Sequence, residues 1–149
     1  MNVLSSAHPI SPSERDAATF FRECFIDELA RAAWRDPVQY RRELLADSPR
    51  LRGVLDEAAR ACGWSRPLPE GHARGVALSA AGGVVAAHVA EMSLDDAGVS
   101  RVHRVVAVID CGAAEPSAAQ ARCASAGLAP AMVNALAVLK ARHRLELHP

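Results

Sequence analysis

Two β-branched-rich runs, Val84–Leu94 and Val99–Ile109, are separated by the tetrapeptide Asp95-Asp96-Ala97-Gly98. No other feature restricts the fold as much. Runs of this kind alternate their side chains between two faces, and a turn ending in glycine supplies the positive φ that reverses the chain. The spacing predicts an antiparallel hairpin. In its second arm, Val102, Arg104, Val106 and Val108 fall on one face, and Arg101, His103, Val105, Ala107 and Ile109 on the other. The polar residues cluster near the turn, so that end is expected to be wet and the Asp110 end buried. A short apolar segment, Gly75–Leu78, is a further candidate strand.

Helical patterns flank this centre on both sides. From Asp16 onward, Phe21, Phe25, Leu29 and Ala33 recur every fourth position, which predicts a helix with that stripe turned inward. Asp36-Pro37 ends it and starts a second helix over Val38–Ala46, with Arg41 and Arg42 expected outward and Leu44 and Leu45 inward. Ser48-Pro49 has the form of an N-cap and first helical residue. Leu51, Val54, Leu55, Ala58 and Cys62 follow on one face, and Gly63 stops the helix. The segment from Arg66 to Gly71 is a linker. Beyond Gly112, Ser117–Ala126 and Ala131–Ala141 are predicted helices divided by Gly127 and Pro130, and Arg144–His148 is a terminal strand or a tail. Residues 1–15, with Pro9 and Pro12, are expected to form a flexible arm, and residues 16–149 a single domain. The fold class is α+β: a helical N-terminal third, a central antiparallel β-hairpin or sheet, and C-terminal helices.

Composition narrows the function classes. The 149 residues are half hydrophobic, and a chain of this size buries about 68–70% of its unfolded surface. Lys plus Arg and Asp plus Glu are 17 each, which leaves no net basic surface for nucleic acid, and aromatics for base stacking are few. No stretch approaches the roughly 20 apolar residues that span a bilayer, and Met1–Arg15 lacks a signal-type apolar run, so the expectation is a cytoplasmic protein without membrane contact. The four cysteines, Cys24, Cys62, Cys111 and Cys123, lie far apart without a Cys-x-x-Cys pair. They are expected to be reduced, mostly buried thiols and not metal ligands.

Other constellations are thin. His88 and His103 fall on strands that pair, but a two-histidine set without a carboxylate or thiol companion is a poor metal site. Arg41, Arg42, Arg50 and Arg52 are surrounded by Asp36, Glu43, Asp47 and Asp56, the pattern of a solvated ion-pair face. Trp34 and Trp64 each end a helix and are expected to pack at the core or its rim.

The segment from Glu23 to Ala30, together with Arg35-Asp36-Pro37, Tyr40-Arg41-Arg42 and Leu44–Asp47, resembles the large, molybdopterin-binding subunit of molybdenum hydroxylases. This is the xanthine dehydrogenase and aldehyde oxidase family, and the bacterial isoquinoline 1-oxidoreductase β subunit is the branch most similar. Gly63-Trp64, Pro67–Gly71, Ala73–Leu78, Val89–Ser93, Arg101–Val106 and Asp110-Cys111-Gly112 continue the resemblance in order, so that it covers residues 24–112. Ala129–Leu136 is similar to the last helix of the same subunits. The family has a long stretch between that helix and the Asp-Cys-Gly strand, where this chain has sixteen residues.

The resemblance implies a fold that clamps a molybdopterin cofactor and hydroxylates N-heterocycles or aldehydes, with an Fe–S partner and a glutamate as general base. It also implies where those groups should sit. The base belongs just before the last helix, where the chain reads Ala126-Gly127-Leu128-Ala129-Pro130, and Leu128 cannot accept a proton. Glu115-Pro116 is the only Glu-Pro nearby, but Ala114 precedes it and its place fits the family's Asn-Pro loop. The pterin-contacting glutamine aligns with Arg122, and Gln120 is out of register by two. Gly82-Gly83 replaces a Gly-rich turn that approaches the ligand in the family, and serves here either that role or a plain tight turn. No catalytic, cofactor-binding or metal residue is therefore assigned. The expected protein is a truncated relative that is not catalytic alone and holds no molybdopterin by itself. The alternatives are a non-catalytic binding or assembly module for a complete large subunit or Fe–S partner, or one half of a split enzyme. Its expected partner is a second copy, through Ala118–Ala126 and Met132–Leu139, or a molybdenum hydroxylase subunit.

Overall fold

The computed structural model describes residues 14–113, 121 and 125–147, with side chains from 16 onward and to 144. Helices α1 (Glu14–Ala32), α2 (Pro37–Leu44) and α3 (Pro49–Cys62) precede strands β1 (His72–Ala81), β2 (Val84–Leu94) and β3 (Ser100–Asp110), and helix α4 (Leu128–Leu147) follows. The three strands form one antiparallel sheet in the order β1-β2-β3. The architecture is α+β, as the sequence predicts. The arm expected at residues 1–15 lies outside the described residues, except that Glu14 and Arg15 already belong to α1.

Local chemistry sets the element ends. Asp36 caps α2 by accepting from the Gln39 amide at 2.8 Å, with Pro37 as the first helical residue. Ser48 precedes α3 as expected, but its side chain makes no capping bond; Gly63 closes the helix in the left-handed region at φ 67°. At the β2–β3 turn, Gly98 has φ 78° and Asp95 accepts from the Val99 amide at 2.7 Å. Both turn residues joining β1 to β2, Gly82 and Gly83, have positive φ (56° and 79°), which a two-residue reversal requires.

The sheet is covered on both faces. Val76, Leu78, Val85, Ala87 and Val89 face α3, where Val54, Leu55, Ala58 and Cys62 complete the main core. Ala73, Ala77, Ala90 and Met92 face α4 and meet Ala131, Ala135 and Leu139. At the crossing of β1 and α4 the backbones almost touch, since a Cβ on Gly75 would lie 2.1 Å from the Ala131 carbonyl oxygen and 2.3 Å from the Ala135 nitrogen. The α4 face around Met132–Leu139, expected to await a partner chain, is thus largely occupied by the protein's own sheet. Of the other predicted C-terminal helix, only Ala121, Ser125 and Ala126 are described, and all three are helical.

The inward face of α1 is the opposite of the predicted one. Phe21 is 70% and Phe25 59% exposed, whereas Glu23, Asp27 and Ala30 are buried. The cause is Arg41, which was expected outward and is 1% exposed. Its Nε donates to Glu23 Oε2 at 3.2 Å, its Nη1 to Asp27 Oδ1 at 2.9 Å, and its Nη2 to the Glu23 carbonyl at 3.0 Å. A buried guanidinium requires carboxylates around it, and that requirement outweighs the phenyl stripe. Burial pushes the Asp27 carboxyl above its ordinary value, against the opposing pull of Arg41 and Arg31. Leu44, expected inward, is 57% exposed in consequence of the same turn of α2, while Leu45 packs at the core edge. Arg42, Arg50 and Arg52 do form the solvated ion-pair face, with Asp56 and Asp110.

Glu23 also reaches the sheet. Its Oε2 accepts from the Leu78 amide at 2.9 Å, Asn134 donates to the Val76 carbonyl at 3.0 Å, and Arg142 to the His72 carbonyl at 3.0 Å. The outer edge of β1 is therefore satisfied by side chains of α1 and α4 instead of by a fourth strand. In β3 the pairing shifts between Glu91 and Met92, opposite Arg104 and Val102. This bulge carries Val102 to the α4 side, away from the face of Arg104, Val106 and Val108 on which strict alternation places it. Asp110 is half-buried, and Arg144–Leu147 continue α4 as helix, not strand. Trp64 packs at the core rim and donates to Asp36 at 2.8 Å, but Trp34 is 96% exposed.

Replacing Arg41 by Met removes the buried cation and leaves Glu23 and Asp27 with only the more exposed Arg22 and Arg31 as counter-charges, a loss toward the low end of about 3–5 kcal/mol. The expected outcome is a large fall in the urea midpoint at neutral pH. Leu55, fully buried, and Val106, half-buried, grade the same core differently. Leu55→Asp is expected to abolish cooperative unfolding, and Val106→Asp to lower the midpoint while leaving a transition, both read by circular dichroism.

Candidate functional site

Leu128 is the first residue of α4 and is half-buried. Its neighbour Ala129 lines a cleft of about 500 Å³ that, among the described residues, is also lined by Phe20, Phe21, Ala126, Asp16 and Ser125. The lining is mainly phenyl and methyl. Among the described residues such walls offer few partners to a phosphate-bearing pterin, and the aliphatic side chain of Leu128 offers no proton acceptor. Gly127 is held by packing, because a Cβ there would lie 2.1 Å from Nδ1 of buried His88. Pro130 is buried in the first turn of α4, where its missing N–H costs no helical bond. Glu115, Gln120, Arg122 and Cys123 lie outside the described residues.

The Gly82-Gly83 turn is tied down by Arg50, which donates to the Gly83 carbonyl at 3.0 Å and to Asp110 Oδ2 at 3.0 Å. Its plain structural role is thereby accounted for. His88 and His103 are not brought together. His88 stands opposite Ala107 on the α4 side, and His103 occupies the bulge on the α3 side.

A polar cluster that the sequence reading missed lies beyond the end of α3. His103 stacks on His72 with ring centres 4.2 Å apart, and its Nε2 is 2.7 Å from Ser93 Oγ. His72 Nδ1 is 3.1 Å from Glu91 Oε1, while Arg74 donates to Glu91 Oε2 at 3.3 Å and to the Gly63 carbonyl at 2.8 Å. Burial by itself raises the Glu91 carboxyl, but the bonds and charges of His72 and Arg74 outweigh it and hold the group below its ordinary value. The signal that could have found the cluster is the alternation of His72 and Arg74 across from Glu91 and Ser93. It was hidden because β1 starts three residues before Gly75. The arrangement ties β1 to β3 across β2. Among the described residues, no group of three or more His, Cys, Asp or Glu side chains is placed to hold a metal ion.

A larger groove, about 880 Å³, runs between the linker, the β2–β3 turn and the C-terminal half of α4. Arg66, Arg74 and Arg142 share it with Asp36, Glu70 and Asp95, so it has no single sign of charge. Cys24, Cys62 and Cys111 are free thiols. Burial, then nearby carboxylates led by Asp27, raises the Cys24 thiol, and burial raises Cys62 against the pull of Arg74 and Arg104, which keeps both protonated and poorly nucleophilic.

No family model, curated protein or solved structure matches the chain.

The two close-approach glycines separate backbone from side-chain constraint. Gly75→Ala meets the α4 backbone and is expected to cost about 1–3 kcal/mol or more. Gly127→Ala meets the buried His88 ring, a side chain and not backbone, and should cost less, a ranking that paired urea titrations will check.

Proposed function

We propose that this chain is a non-catalytic relative of the molybdopterin-binding large subunit of molybdenum hydroxylases. What supports the reading is where the resembling segments lie. Glu23–Ala30 and Tyr40-Arg41-Arg42 meet in the buried ion cluster. Ala73–Leu78, Val89–Ser93 and Arg101–Val106 belong to the three paired strands, and Asp110 is locked to Arg50. The resemblance thus falls on the groups that hold the chain together, while the position it implies for the base carries Leu128. In this reading the scaffold is kept without the proton acceptor, and the chain alone carries no molybdopterin.

Such a scaffold acts by association, in the cytoplasm, with protein and not with nucleic acid or membrane. Its partner is a second copy or a subunit of a molybdenum hydroxylase. The observation favouring association is the exposed stripe of Phe21, Phe25 and Leu29 on α1. Among the described residues no helix is long and apolar enough to cross a membrane.

Elemental analysis of protein made in a host that synthesises molybdenum cofactor tests the reading. The expected result is far less than one molybdenum per chain and no hydroxylation of N-heterocycles or aldehydes. One metal per chain together with turnover would overturn it.

A further inference from the structure

We propose that the outer edge of β3 pairs with β3 of a second copy of this chain, antiparallel and centred on Ala107, so that two three-stranded sheets join into one. This takes the self-association arm of the reading above and assigns it a surface other than the C-terminal helices.

The two edges of the sheet are treated differently. The β1 edge is closed by Glu23, Arg22, Asn134 and Arg142. Along β3, among the described residues, no hydrogen bond from outside the sheet reaches the backbone between Arg101 and Ile109. Val102 is 42% and Val105 44% exposed, and Ala107 is exposed as well. Natural edge strands are usually blunted by charge, proline or a bulge, because an open row of N–H and C=O groups templates another strand. Here Arg101, Arg104 and the bulge at His103 protect the turn end alone. The uncharged run Val105–Ile109 has no such device.

The occupant follows from the charges. In an antiparallel pair about a two-fold axis at Ala107, Val106 lies opposite Val108, Val105 opposite Ile109, and Arg104 opposite Asp110 of the second copy. The last pair occurs twice, once at each end. Arg104 and Asp110 stand across from Glu91 and Val85, on the α3 side of the sheet, so they share a face as opposed residues must. No other centre along the strand opposes these two charges. Asp110 keeps its bonds to Arg50 and the Gly112 amide, and a carboxylate has room for a further donor. Arg104 spends one Nη on the Ala61 carbonyl and retains other N–H groups. A second copy in this register is therefore complementary in charge.

Light scattering coupled to size exclusion of the full chain at micromolar concentration is expected to give a dimer. Ala107→Lys sets two ammonium groups against each other at the axis and should weaken dimerisation about tenfold or more, with the circular dichroism spectrum unchanged. Ala107→Cys brings two thiols within disulfide reach. It should give a cross-linked dimer on oxidation that neither the native chain nor Val102→Cys gives. A native monomer overturns the proposal. So does a dimer that survives Ala107→Lys and fails to cross-link; if Phe25→Asp splits that dimer, the interface is the α1 stripe. Molybdenum content is measured separately, so either proposal can fail without the other.

Discussion

The structure hangs on one buried cation. Arg41 draws Glu23 and Asp27 of α1 against α2, and Glu23 passes the connection on to the Leu78 amide of β1. Helix, helix and strand are thus joined through a few atoms at the centre of a chain whose remaining core is mostly alanine and valine. Small side chains bury little area each, so directional contacts decide how the layers are oriented. The orientation of α1 shows the effect: two phenylalanines stay in water so that two carboxylates can reach the guanidinium.

The sheet then separates two kinds of packing. Toward α3 the interface is conventional, with branched side chains on both layers. Toward α4 it is close and shallow, with alanines and Gly75 letting the helix backbone nearly touch the strand. Close packing of this sort tolerates little change in volume, because no side chain lies between the backbones to adjust. It also brings Asn134 and Arg142 near enough to satisfy the β1 edge.

The hairpin was legible because glycine, aspartate and β-branched residues each act locally. Val84–Leu94 and the Asp95–Gly98 turn stand where the sequence places them, as do α3 and its Gly63 stop. The inward face of α1 was not, since a period of hydrophobic residues cannot reveal a buried ion cluster whose cation lies on another helix. Val102 and His103 were misplaced because one extra residue in β3 reverses the alternation on the turn side. The His72–Glu91–His103 cluster failed for the same reason, together with the early start of β1. At the position implied for catalysis, Leu128 was readable from its chemistry alone, and the structure adds that it opens α4 and is half-buried.

The corner between α1 and α2 has an optical consequence. Trp34 takes the left-handed conformation at φ 55° and stands 96% exposed, whereas Trp64 packs at the core rim with its indole nitrogen bonded to Asp36. An indole bathed in water in both folded and unfolded chains emits much the same light in each. Any shift in intrinsic fluorescence as the molecule opens therefore belongs to Trp64 and dates the loss of the α3–sheet interface.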